Sequence, residues 1–104
     1  MKYNEYEIKF TMGRYVADNS IYIGAYIIED EKPVDYYGDV TTCIPFTVTD
    51  NEMLLDTNNC GDLISEMINQ KILEPLGYSV PSGYCNYPTA KVTDKFYKEA
   101  LEVS

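Results

Sequence analysis

The chain contains no histidine and no tryptophan, and its three cysteines, Cys43, Cys60 and Cys85, form no C-x-x-C pair. Each absence removes a chemistry. Without His, a Ser or Cys nucleophile needs a Lys or carboxylate as its base. The lysines lie beside acidic or polar neighbours at predicted strand and helix edges, where burial does not depress their pKa. A tetrahedral zinc site would need His partners or a fourth thiolate. An odd cysteine count with no signal-like segment argues against a disulfide framework and for free thiols that pack as small hydrophobes. No apolar run approaches the ~20 residues of a membrane span. The opening MKYNEYEIKF lacks an apolar h-region, so the expected location is cytoplasmic.

Positive charge is also scarce. Eight Lys and Arg stand against seventeen Asp and Glu, a formal net charge of −9. Each phosphate contact wants a cation, so most nucleic-acid binders are excluded and no direct nucleic-acid partner is expected. An anionic membrane surface is disfavoured too, and an electrostatically steered partner must be basic. The six glycines include no G-x-G-x-x-G or P-loop. The stretch DTNNCGD sets Asp56, Asn58 and Gly61 at positions one, three and six of a calcium loop. Its positions five and twelve then fall on Cys60 and Met67, which cannot replace an oxygen ligand and a bidentate Glu. Carboxylates at Asp35/Asp39 and Glu5/Glu7 can share strand faces, but glycosidase chemistry needs a deep cleft between them. The expectation is a non-enzymatic protein with no metal and no cofactor.

What is present is a globular composition, 45% apolar in 104 residues, enough for one core and one domain over 1–104. In EYEIKFTM, Tyr6, Ile8, Phe10 and Met12 alternate with polar residues, which predicts a strand over 5–12 ended by Gly13. ADNS over 17–20 reads as a turn. IYIGAYII over 21–28 predicts a central strand covered on both sides, with a bulge at Gly24. EDEKP is most simply a hairpin connection, followed by a third strand from about Val34 to Ile44. Pro33 suits the turn or the first strand position. Pro45 ends that strand, FTV pairs briefly, and Thr49-Asp50-Asn51 turns again.

A helix is predicted over 59–73, with Leu63, Ile64, Met67, Ile68 and Ile72 on one stripe. Asn59 is its expected N-cap, and Pro75 and Gly77 its stop. Asp62 and Glu66 then lie near the positive end of the dipole and Lys71 near the negative end. Val80-Pro81-Ser82-Gly83 fits a type I turn, and YCNYPTAKV is mostly loop with a short edge strand. Thr93 caps a last helical stretch, DKFYKEALEV, with Phe96, Ala100 and Val103 on one face. The fold class is α+β: an antiparallel β-meander of three to five strands, one packed amphipathic helix and a short C-terminal helix.

Charge is uneven. From 29 to 66 the chain carries ten acids against Lys32 alone, which accounts for the whole net charge. Strand residues two apart sit ~6.6 Å apart on one face, a spacing that matches phosphates along one nucleic-acid strand but not the ~1.7 Å charge spacing of a duplex. The eleven tyrosines add a second signal, because Tyr suits both a half-wet sheet and a binding hot spot.

The stretches FTMGRYVADNSIYIGAY, LLDTNN and SGYCNYP, in that order, resemble a family of small acidic proteins of unknown function. The family is carried by plasmids and conjugative elements of Gram-positive gut bacteria. EDEKPVDYYGD is more acidic than the family's hairpin. The resemblance implies a mobile-element passenger and supplies no catalytic residue. With the charge pattern it sets two expectations. One is an anti-CRISPR or anti-restriction protein that docks onto the basic groove of a defence nuclease through Glu29, Asp30, Glu31, Asp35, Tyr36, Tyr37 and Asp39. The other is an accessory or structural protein of a conjugative element, a homodimer through an exposed strand, with no anti-nuclease role.

Overall fold

The computed structural model describes residues 1–49 and 51–101. Asp50, expected in a turn, and Val103, expected on the last helical face, lie outside the described residues. Among the described residues the order is β1 (Lys2–Tyr3), β2 (Tyr6–Arg14), β3 (Ile21–Glu29), β4 (Lys32–Asp39), β5 (Thr41–Thr42), β6 (Met53–Leu55), α1 (Thr57–Asn69), β7 (Leu73–Ser82), β8 (Cys85–Val92) and a 3-10 helix (Asp94–Lys98). The strands form two four-stranded antiparallel sheets, in the orders β1-β2-β3-β4 and β5-β6-β8-β7. The α+β class with one α-helix stands, but three to five strands in one meander was too few.

Local patterning explains the first sheet. In β2 only Ile8 and Phe10 of the alternating set are fully buried, while Tyr6 and Met12 are exposed at the two ends. Gly13 does not end the strand, because it pairs with Tyr22 and the ladder continues to Arg14. In β3, Ile21, Ile23 and Ala25 face the core. Tyr22, Gly24, Tyr26 and Ile28 alternate onto the other face. Gly24 is not a bulge. A Cβ there would meet the Tyr22 hydroxyl at 2.7 Å and Thr11 Oγ1 at 3.1 Å, so glycine makes room for the Tyr22 ring laid along the strand. The bulges are in β4, where Val34 and Tyr37 are extra residues between Pro33↔Ile28, Asp35↔Ile27, Tyr36↔Tyr26 and Gly38↔Ala25.

The expected third strand, Val34 to Ile44, divides at Val40. The Val40 N–H donates to Ile23 O at 2.9 Å, and its carbonyl accepts from Asp56 N–H at 2.8 Å. The chain thereby leaves one sheet and enters the other, so Val40, fully buried, is the joint between them. Residues 46–48 form turns and bends rather than a pairing strand.

The helix begins and ends earlier than expected. Asp56, not Asn59, is its N-cap, and no side-chain cap bond forms there. Asn59 Nδ2 instead donates to Asp56 Oδ2 at 2.8 Å. Asp62 lies past the first turn, which holds no acid, and no base lies in the last turn. The stop is a Schellman motif: Lys71, at φ 63°, takes the left-handed position, Lys71 N–H donates to Ile68 O at 3.0 Å and Ile72 N–H to Met67 O at 2.9 Å. Leu63, Ile64 and Met67 are buried as the stripe required, while Ile72 is buried from beyond the helix end.

Pro75, Gly77 and Pro81 are therefore strand residues. β7 is the outer strand of its sheet, so a proline can face away from the ladder. Ser82 pairs with Cys85 across Gly83-Tyr84. Gly83 has φ +61° while Tyr84 is not left-handed, the pattern of a two-residue II′ hairpin turn rather than a type I turn at Val80–Gly83. Thr93 does precede the terminal 3-10 helix, but its hydroxyl donates to Lys71 O at 2.5 Å and Ile72 O at 3.1 Å instead of capping. The core lies where β2, β3, β6, α1 and the 3-10 helix meet, with Phe10 stacked on Phe96 at 5.8 Å.

Candidate functional surface on the β3–β4 hairpin

β4 is the outer strand of its sheet, and all its residues except Gly38 are exposed. Glu29 and Lys32 pair at the end of the hairpin, with Asp30 and Glu31 as the two-residue turn. Both turn residues are left-handed, at φ 51° and 66°, which is the type I′ geometry. Asn-Gly is the usual occupant, because a Cβ in this region costs ~1–2 kcal/mol per residue. Two acids occupy the turn; Asp tolerates the left-handed region, so the backbone strain falls on Glu31. EDEKP is thus a hairpin connection, as its residues suggested, and an unusually charged one.

Asp35 and Asp39 follow along the strand. Among the described residues, no carboxylate from Glu29 to Asp39 forms a salt bridge; the lysine pairs are Lys9–Glu99 at 3.7 Å and Lys91–Glu74 at 3.3 Å. Near the turn the charge is mixed. A cleft of about 760 Å³ between the hairpin and the C-terminal segment is lined by Glu7, Asp30 and Glu31 but also by Lys9 and Lys98. The unopposed stretch of the hairpin is the one from Asp35 to Asp39.

Tyr36 and Tyr37 do not act together. Consecutive strand residues alternate, so the two rings lie on opposite sides of the sheet. Tyr36 lies on the outer face, 5.1 Å from the Tyr26 ring, and its hydroxyl donates to Asp39 Oδ1. Tyr22 donates to the same oxygen at 2.8 Å and stands edge-on to Tyr15 at 5.6 Å. Tyr15, Tyr22, Tyr26 and Tyr36 form one aromatic row with Asp39 bonded to two of its members. Tyr37 instead meets Tyr3 edge-on at 6.0 Å and borders the start of α1 beside Asp62. Burial, then the bond to Tyr3, pushes its phenol up to about 12.

Sequence reasoning missed Tyr15, Tyr22 and Tyr26. A signal existed for two of them: Tyr22, Gly24 and Tyr26 alternate with Ile21, Ile23 and Ala25, so a period of two already set them on one face. Tyr15 sits in a loop and had none. Asp39 and Asp56 both raise the phenol of Tyr15 and the thiol of Cys60, after the larger effect of burial on each. The acids beside α1 therefore extend the negative edge past the end of β4. Glu52 and Glu66 are engaged elsewhere, by Tyr78 at 3.1 Å and Gln70 at 2.9 Å.

The arrangement offers an anionic ridge with a fixed aromatic flank, suited to contact with a basic surface. No helix of the described residues is long and apolar enough to cross a membrane. No curated protein and no solved structure matches the chain. One family model does, over residues 9–102, and by that match the chain belongs to the family described as "Domain of unknown function (DUF4313)".

Proposed function

We propose that this chain is a non-enzymatic mobile-element protein that binds and inhibits a nucleic-acid-targeting defence nuclease, of the CRISPR or restriction type. The contact is the exposed edge of β4, with Glu29, Asp30, Glu31, Asp35 and Asp39 as anionic groups and Tyr36 as their aromatic neighbour. Tyr37, on the other face, joins only a partner that also wraps over the start of α1. The observation that carries the reading is the strained turn. Glu31 stands at a left-handed position where Gly would be stable, next to Asp30 in the same turn, a local rule-breaking that supports reading the hairpin end as a functional surface. Asp39, held by two phenols, adds a carboxylate whose position is fixed before any partner arrives.

Such a ridge is drawn to a basic groove, and the encounter slows as salt screens it. The test is a plasmid-targeting assay with a panel of CRISPR and restriction nucleases. Expression of the wild type should rescue the plasmid from at least one of them. A variant with Glu29, Asp30, Glu31 and Asp35 changed to Lys should fold and fail to rescue. Plasmid loss unchanged across the panel would sink the proposal.

The rival role, an accessory protein dimerising through an exposed strand, meets a physical obstacle. β4 carries Pro33, two bulges and two carboxylates, and β7 carries Pro75 and Pro81. The two long outer strands thus bear the features that natural sheets use to refuse a further strand.

A further inference from the structure

Tyr36 and Asp39 are three residues apart in β4, a spacing that sets side chains on opposite faces of a regular strand. The ladder shows why they share one. Tyr36 pairs with Tyr26 and Gly38 with Ala25, so Tyr37 is an extra residue and the alternation is reset between them. Asp39 then stands opposite Gly24, on the face that carries Tyr22, Tyr26 and Tyr36. The Tyr22 and Tyr36 hydroxyls both donate to Asp39 Oδ1, and their oxygens lie 3.3 Å apart. The Tyr26 ring meets the Tyr36 ring at 5.1 Å and 60°.

This group has used its donors and kept its acceptors. Each phenol carries one proton at neutral pH, and both protons are directed at Oδ1. What remains is acceptor capacity: Asp39 Oδ2, which accepts no hydrogen bond among the described residues, and a lone pair on each phenol oxygen. Among the described residues no salt bridge reaches Asp39. β3 has no Lys or Arg, and Lys32 pairs with Glu29 at the far end of the ladder from Gly24↔Asp39. Lys9 shares the face but lies across β3, its Nζ 3.7 Å from Glu99 Oε2 and 3.3 Å from Lys98 O. Arg14 alternates onto the other face of β2 with Phe10.

Negative charge, acceptors without donors and flanking aromatic rings are complementary to a cation that has several N–H groups and can lie against a ring. Guanidinium meets all three demands, being planar, weakly hydrated and able to donate in its plane while it stacks. The ammonium of Lys is a compact, strongly hydrated point charge and meets them less well. We infer that Tyr22, Tyr26, Tyr36 and Asp39 form a receptor for an arginine side chain of a protein partner, whose guanidinium donates to Asp39 Oδ2. The inference rests on the reading of β4 as the edge that meets a basic protein, and it names the side chain that this edge takes. Its test needs no nuclease.

Nα-acetyl-arginine amide is titrated into the isotope-labelled chain at fixed ionic strength and followed by NMR, with Nα-acetyl-lysine amide for comparison. The arginine derivative should shift the amide signals of Tyr22, Tyr26, Tyr36 and Asp39 to saturation and bind roughly threefold more tightly than the lysine derivative. Asp39→Asn should raise its Kd by roughly tenfold, the loss of one hydrogen bond to a charged group. Tyr26→Leu should raise it by roughly threefold, and decides alone if the spectrum of Asp39→Asn is that of an unfolded chain. Glu5→Gln removes the same charge from the exposed β1–β2 turn and should leave the Kd unchanged. The inference is overturned by the absence of a saturable shift, by equal binding of the lysine derivative, or by a loss in Glu5→Gln as large as in Asp39→Asn. Plasmid rescue that persists where arginine fails to bind strikes this inference alone. Arginine binding without rescue from any nuclease strikes the nuclease reading and leaves the receptor standing.

Discussion

The Tyr22 hydroxyl donates to Asp39 Oδ1 at 2.8 Å and so ties the middle strand of the first sheet to its outermost one. Gly24, directly opposite Asp39 in the ladder, is what lets the ring reach. Backbone register, a missing side chain and a carboxylate combine there, and several expected outcomes start from that contact.

Stability should fall in alkali. Burial first, and the bond to Asp39 second, push the Tyr22 phenol up to about 12 from its ordinary 10.0; Tyr37 is pushed equally far. The folded chain then holds protons that the unfolded chain has released, so this contribution is complete below pH 10 and is lost as pH rises through about 12. Denaturant midpoints measured across that range should decline, and Tyr22→Phe should flatten the decline. An identical slope in the variant would exclude Tyr22 as its source.

Filling the gap at Gly24 should break the contact. Gly24→Ala sets a methyl against Tyr22 Oη and Thr11 Oγ1, an overpacking expected to cost about 1–3 kcal/mol. The diagnostic reading is optical. In an alkaline absorbance titration of the variant, one tyrosine should move from the late-ionising class to the ordinary one.

Two left-handed positions lack glycine and should gain from it. Glu31→Gly in the β3–β4 turn and Lys71→Gly at the end of α1 should each stabilise the fold by about 1 kcal/mol. Urea unfolding checks both. Only the first should also weaken nuclease inhibition, since Lys71 lies outside the acidic ridge.

The terminal 3-10 helix should matter more than its five residues suggest. Phe96 is fully buried against Phe10, and Phe96→Ala should cost about 3–5 kcal/mol in chemical denaturation. A cost under 1 kcal/mol would mean that the segment does not hold the first sheet as the stack implies.

Where sequence reading succeeded, the interaction was local. The stripe Leu63, Ile64 and Met67 lies within one helix, and the alternation of Ile8 and Phe10 within one strand. Where it failed, the deciding partner was distant. Pro75 and Pro81 are a helix stop and a turn residue by local rule, yet they pair with Ala90 and Asn86 of β8, and among the described residues no strand pairs on the other side of β7; Gly77, at φ 83°, falls in the irregularity between Pro75 and Ser79. Likewise Pro88 is tolerated in β8 because, among the described residues, β6 pairs with Thr89 and Ala90 and not with Pro88. The candidate surface divides in the same way. Acids clustered between 29 and 39 are plain in the residues, and so is the alternation that parts Tyr36 from Tyr37, but the meeting of Tyr22 with Asp39 depends on a remote strand.

The sequence by itself determined the net charge of −9, the absence of histidine and the apolar face of the single helix, because these need no partner. Tertiary structure alone decided that Val40 joins two sheets, that Tyr22 and Tyr36 converge on Asp39, and that Phe46 stands bare at one end. The reason is range. Charge and helical periodicity are summed over neighbours in the chain, whereas strand pairing and the surface it exposes depend on which remote backbone supplies the hydrogen bonds.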